Sequence, residues 1–264
     1  MMTTDAAVQT QEYSLDNGWE HARHRLALLE QCYDAGTIRR LDNLGVEEGW
    51  RCLEVGAGGG SITQWLCARV GPHGRVLATD LDTRFVEKLD DKNLDVRQMD
   101  LRTDELPAAA FDLVHVRAVL MHIPQREQIF EALLASLRPG GWLLLEEADH
   151  FAIPTLGTGL YPEVAEAAFA GMVQAGVVFE WARHLPGLLH RHELVDVGAD
   201  CEVPLFEGGS AAAEFLRVSV AQLWEQGMVV GVTAGELAEW NTLMSQPGRW
   251  FPGLAIVSAW GCRR

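Results

Sequence analysis

The stretch Leu53-Glu54-Val55-Gly56-Ala57-Gly58-Gly59-Gly60-Ser61 decides the fold. An apolar run carrying one acid breaks into glycine at positions 56, 58 and 60, and a helix-like segment follows over 61–70. That order is the first strand, tight turn and helix of a nucleotide-binding βαβ unit. Glycine, lacking a Cβ, lets the turn take positive φ and lets a ligand come close to the backbone. Two features separate this turn from a dinucleotide fingerprint: Glu54 stands just before the glycines, and Ser61 occupies the place of the third glycine of G-x-G-x-x-G. A carboxylate fixed beside the loop repels a pyrophosphate at a helix N-terminus, where phosphate normally binds. It suits a cationic amino group or a sulfonium.

Outward from the turn, the pattern repeats. Arg75-Val76-Leu77-Ala78-Thr79-Asp80 is a second strand whose terminal acid lies about twenty residues past the last glycine, where a ribose-binding acid belongs. A third apolar run over 96–100 ends in Asp100-Leu101, and a fourth reads Phe111-Asp112-Leu113-Val114-His115-Val116-Arg117. A helical segment and Arg138-Pro139-Gly140-Gly141 then lead into a central strand over 142–146.

Through E-x-G-x-G-x-G, Asp80, Asp100-Leu101, F-D-L-V and R-P-G-G, the chain resembles the class I S-adenosylmethionine-dependent methyltransferases over residues 41–149. The resemblance implies an α/β, doubly wound, seven-stranded and mostly parallel sheet in the order 3-2-1-4-5-7-6, strand 7 antiparallel, with a helical lid over the cofactor cleft. It implies S-adenosylmethionine as cofactor, S-adenosylhomocysteine as product, and no metal. Gly56, Ala57 and Gly58 would line the methionine and ribose, and Glu54 would stand near the methionine ammonium, directly or through water. Asp80 would hold the ribose hydroxyls and Leu81 would pack on the adenine. Asp100 would accept from the adenine amino group, with the Leu101 amide at a ring nitrogen. Arg117, ending the fourth strand, would face the methionine carboxylate or, alternatively, form a surface salt bridge.

Composition narrows the partners. With 264 residues, 48% of them hydrophobic, the chain can bury a full core. The net charge of −16 weighs against a nucleic-acid substrate, because binding a polyanion relies on Lys and Arg displacing counterions. No apolar run approaches the length of a membrane span, and the polar start lacks the pattern of a leader, so a cytoplasmic protein with no membrane partner is expected. Cys32, Cys52, Cys67, Cys201 and Cys262 are odd in number and widely spaced, which argues for reduced thiols. The expected partner is a small-molecule substrate.

Three regions follow: an N-terminal helical cap over 1–46, the S-adenosylmethionine-binding core over 47–150, and a helical insertion with the last two strands over 151–264. In the last region helices are expected over 161–178 and 181–195, the latter interrupted at Pro186-Gly187, and strands over 201–206 and 254–260. The cap and the 161–178 insertion are expected to form the substrate lid, although the N-terminal helices could equally serve a homodimer interface. Trp181, Trp224, Trp240, Trp250 and Trp260 read either as walls of an aromatic acceptor pocket or as core residues. Tyr13, Trp19 and His24 read as cap residues or as simple packing.

Methyl displacement requires alignment, exclusion of water and, for a protonated acceptor, a base. His122, in Leu120-Met121-His122-Ile123-Pro124, lies just past the fourth strand, and an imidazole with an ordinary pKa near 6.5 suits proton transfer at neutral pH. It could also merely brace the turn. Among Glu146, Glu147, Asp149 and His150, alternation from Trp142 puts Glu147 on the face opposite Glu146 and past the last expected ladder residue, so Glu147 is the second candidate base. Two other functions stay open: a protein that binds S-adenosylmethionine without methylating, for pericyclic catalysis or regulation, and a nicotinamide-dependent oxidoreductase. Ser61 and Glu54 weigh against the latter.

Overall fold

A computed structural model describes residues 14–264; Tyr13 lies outside the described residues. The strands are β1 (Arg51–Val55), β2 (Arg75–Asp80), β3 (Leu94–Gln98), β4 (Phe111–Arg117), β5 (Leu137–Asp149), β6 (Val195–Glu202), β7 (Leu205–Glu207), β8 (Trp250–Pro252) and β9 (Ala255–Cys262). The helices are α1 (Ala22–Asn43), α2 (Ser61–Val70), α3 (Arg126–Ser136), α4 (Ala152–Leu156), α5 (Leu160–Gln174), α6 (Leu185–Arg191), α7 (Ala211–Glu225) and α8 (Ala234–Met244).

Seven strands form one sheet in the order β3-β2-β1-β4-β5-β9-β6, parallel except that β9 runs against both its neighbours. This is the expected order, the seventh strand being β9 because the small β7–β8 pair intervenes in the chain. The central strands are buried on both faces, as parallel strands covered by helices must be. Cys52, Leu113 and Leu144 meet Ile62, Leu66 and Val70 of α2 on one face. Leu53, Val114, Val116 and Leu145 meet Phe130 and Leu133 of α3 and Leu185 and Leu189 of α6 on the other. A third apolar cluster lies beyond the sheet, where α5, α7 and α8 bury Phe169, Met172, Phe215, Val220 and Trp240.

Three local expectations change. Strand β5 extends well beyond 142–146, because antiparallel β9 supplies it with partners up to Asp149 opposite Ala255. Glu147 therefore lies inside the ladder, opposite Val257, not past its end. Strand β6 begins at Val195 instead of 201; its polar residues suit an edge strand, and a register shift between Val195 and Gly198 hides the pattern. Pro186 does not interrupt a helix but sits in the first turn of α6, where its missing N–H is unneeded. Among the described residues no helix is long and apolar enough to cross a membrane.

Candidate active site

The carboxyl ends of β1, β2 and β4 and the turns after them form one end of a cavity of about 570 Å³. Gly56 at φ +71° and Gly58 at φ +54° carry the turn after β1. A Cβ at position 56 would run into the Val119 side chain, so the close approach of this turn to the chain beyond β4 requires glycine there. The N–H groups of Gly56 and Ala57 both donate to the Thr79 carbonyl, at 2.8 and 3.1 Å, tying the turn to β2.

Asp80 closes the same corner. Its carboxylate accepts from the Gly58 N–H at 2.8 Å and from the Asp82 N–H at 3.0 Å. Burial raises its pKa, and the same two N–H groups pull in the opposite direction. Leu81 beside it is half exposed to the cavity, an apolar surface fit to carry a flat ring. Asp100 and Leu101 also line the cavity, but the Asp100 carboxylate is gripped by Arg102, with Nη2 2.7 Å from Oδ2 and Nε 2.9 Å from Oδ1. The Arg102 hydrogen bond holds its pKa low.

Glu54 lines the cavity, yet its Oε2 lies 2.7 Å from Nδ1 of His115 on the adjacent strand. His115 Nε2 in turn meets Glu146 Oε2 at 3.0 Å, and Glu146 also accepts from Thr37, Arg40 and Ser258. A polar row thus crosses β1, β4, β5 and β9 beneath α1, with His115 wholly buried. Burial alone would lower the imidazole pKa, but the charge of Glu54 and hydrogen bonds to Glu146 and Glu54 lift it to about 9. Glu146 shows the converse: burial would raise it, and the His115 bond and charge bring it down to about 2. Arg117 is drawn toward α1, where its guanidinium donates to Asp34 at 2.8 Å and to Thr37 at 2.9 Å. Ala118, next along the cavity wall, holds φ +53°, a left-handed conformation uncommon outside glycine.

The opposite end of the cavity is apolar. Leu29 and Tyr33 of α1, Phe169 and Met172 of α5, and Phe215, Leu216 and Val220 of α7 line it, while Leu26 of α1 stands beside Gly58 of the turn. None of the five tryptophans noted in the second half lines the cavity; Trp240 is fully buried between α8 and α5, with its Nε1–H donating to the Tyr161 carbonyl at 3.2 Å. Trp19 instead donates to Glu225 at 2.8 Å. His122 does line the cavity, and burial, followed by the positive charge of Arg25, lowers its pKa to about 4. Glu147 does not line it: this carboxyl accepts from the Leu120 N–H at 2.8 Å, and burial raises its pKa to about 8 against the pull of those backbone donors.

Sequence reasoning missed His115, Glu146 as its partner, Arg25, and the part of α7. A titratable residue inside the apolar F-D-L-V-H-V-R strand was a readable signal for the first. Which helix crosses the cleft was not readable, because helical periodicity carries no address.

A family model described as a methyltransferase domain matches residues 53–143. The methyltransferase str2 of Strobilurus tenacellus is 33% identical over 104 residues, 38% of this chain and 36% of that protein. The ubiquinone/menaquinone biosynthesis C-methyltransferase UbiE of Idiomarina loihiensis is 28% identical over 115 residues, 40% of this chain and 46% of that one. The chain thus matches less than half the length of these curated relatives. Among solved structures, phosphoethanolamine N-methyltransferase 2 of Haemonchus contortus, bound to phosphomonomethylethanolamine and S-adenosylhomocysteine, aligns over 95% of this chain and 59% of its own, with TM-score 0.60 and 15% identity. That likeness concerns the fold. Residues 53–143 thus carry a methyltransferase domain, and the seven-stranded sheet around them has the class I methyltransferase fold. The positive-φ glycine turn that lines the cavity, the acid at the tip of β2 and the exposed face of Leu81 fit S-adenosylmethionine.

Proposed function

We propose that this protein transfers the methyl group of S-adenosylmethionine to a small organic acceptor held in the apolar half of the cavity. The observation that carries this reading is continuity: one chamber runs from the glycine turn and Asp80 to Phe169, Met172 and Phe215. Donor and acceptor therefore share a space covered by α1, α5 and α7. The cofactor supplies an activated sulfonium methyl. The chain's own part is positional. Gly56 and Gly58 admit the methionine and ribose against the backbone, Asp80 accepts from the ribose hydroxyls with its remaining lone pairs, and Leu81 carries the adenine. Leu101 offers its backbone amide to the adenine edge, and Asp100 keeps Arg102 at the rim.

Glu54, already bound to His115, presents the methionine ammonium with the outer side of a shared carboxylate. Arg117, neutralised by Asp34, braces α1 over the site. Holding two reactants in line while the helices keep water out is worth about 7–11 kcal/mol. Where the acceptor carries a proton, His122 receives it: the imidazole is neutral at pH 7 and faces the cavity. With a pKa of about 4 it suits an acceptor that is itself acidic. Glu147 holds the turn that presents His122. The small size of the acceptor is supported by the net charge of −16 and by the quinone-biosynthesis name of the UbiE relative.

The test is incubation with methyl-labelled S-adenosylmethionine and a panel of small organic acceptors. Label appearing in an acceptor, with an equal amount of S-adenosylhomocysteine released, is the expected result. An acceptor consumed while all label stays on intact cofactor would contradict methyl transfer and assign the cofactor a structural part.

A further inference from the structure

Arg25 stands in the first turn of α1 and is 1% exposed, although it is the side chain that charge should keep in water. One terminal nitrogen donates to the Leu15 carbonyl at 2.9 Å and to the Asn17 side-chain oxygen at 3.3 Å. Its Nε is buried without a hydrogen-bond partner. Both acceptors are neutral, and among the described residues no carboxylate forms an ion pair with this guanidinium. Two other inward-facing arginines are treated differently: Arg40 is paired with Glu146 and Asp200, and Arg117 with Asp34. A buried cation without a counter-charge is costly unless something completes it.

The position says what completes it. Arg25 lines the cavity together with Leu15 and Asn17. Its charge reaches His122, beyond the end of β4, and helps keep that imidazole neutral. Leu26, Met121, Leu216 and Val220 line the same chamber. A guanidinium fork that shares a chamber with an apolar wall is the arrangement that selects a planar oxyanion attached to an apolar body.

We propose that Arg25 binds an anionic group of the methyl acceptor, so that the acceptor is an organic acid with an apolar body, its oxyanion at Arg25 and its carbon skeleton against Phe169, Met172 and Phe215. This rests on the methyltransferase reading above. The same oxyanion chemistry has a second source, the methionine carboxylate of the cofactor, and the experiment separates the two.

The probe pair is 2-naphthoate and its neutral analogue 2-naphthamide, titrated into protein saturated with S-adenosylhomocysteine, for the natural protein, Arg25→Met and Arg25→Lys. The naphthoate is expected to bind at least tenfold more tightly than the amide. Arg25→Met erases that preference, Arg25→Lys keeps part of it, and both hold S-adenosylhomocysteine within threefold of the natural protein. Absence of a preference for the acid in the natural protein, or its survival in Arg25→Met, overturns the proposal. So does a tenfold loss of S-adenosylhomocysteine affinity in Arg25→Met with 5′-methylthioadenosine, which lacks the carboxylate, unaffected; the guanidinium then serves the cofactor. Should Arg25→Met fail to fold, the natural protein and Arg25→Lys still give the comparison. If the natural protein binds no S-adenosylhomocysteine, the methyltransferase reading fails instead, and titration of the ligand-free protein with the same pair still reads the anion preference.

Discussion

Glu54 Oε2 and His115 Nδ1 lie 2.7 Å apart on neighbouring strands at the floor of the cavity. The acid that precedes the glycine turn is thus the outer end of a buried charge row that runs through His115 to Glu146 and up to Thr37 and Arg40 of α1. The proposed cofactor site and the covering helix are joined by the same polar contacts.

Because the folded His115 pKa of about 9 exceeds the ordinary imidazole value, its stabilisation is fully present below about pH 6.5 and is lost as pH rises through 9. The loss is on the order of 3 kcal/mol. Thermal melts from pH 6 to 10 should fall accordingly in the natural protein. His115→Gln, which leaves two buried carboxylates facing each other, should be less stable at pH 7 by about 3–5 kcal/mol and should lack that slope.

Glu147 behaves oppositely. A carboxyl whose folded pKa is raised to about 8 costs stability progressively as pH climbs from the ordinary carboxyl range toward 8. Glu147→Gln keeps an oxygen to accept the Leu120 N–H and removes that cost. It should melt higher than the natural protein at pH 8 and turn over within about threefold of it, whereas loss of a general base lowers turnover by about 10²–10⁴.

The His122 environment sets a pH profile. With its pKa lowered to about 4, kcat/KM should show no limb from this group between pH 5.5 and 8, and any acid limb should centre below pH 5. A limb near pH 6.5 that vanishes in His122→Gln would place the imidazole in a wetter setting than the cavity wall.

Gly56→Ala should weaken cofactor binding while the chain remains folded. The new methyl group meets Val119, and φ +71° is unfavourable for alanine. Titration with S-adenosylhomocysteine should show at least a tenfold weaker complex, with the far-ultraviolet circular dichroism retained.

The central fold was legible because its strands are buried on both faces and announce themselves as apolar runs ended by polar residues: Val76 to Asp80, Phe111 to Arg117. The glycine turn was legible for the same local reason, a backbone demand expressed in residue type. What was not legible is what depends on who sits opposite. Glu147 reads as a free acid at a strand end until β9 pairs with it, and Glu54 reads as a free ligand until His115 is seen on the next strand. Asp100 likewise carries no sign that Arg102, two residues on, closes over it. Arg25 lies in an ordinary-looking basic stretch, His21-Ala22-Arg23-His24-Arg25, of which this one arginine is buried.

The most direct test of the account is calorimetric titration of the natural protein and of Asp80→Ala with S-adenosylhomocysteine and with NADH. Asp80 holds the Gly58 amide and is proposed to accept from the ribose, so S-adenosylhomocysteine should bind in the micromolar range, about −8 kcal/mol, with binding weakened at least tenfold in Asp80→Ala and no binding of NADH. Binding of NADH without S-adenosylhomocysteine would contradict it and give the glycine turn to a dinucleotide.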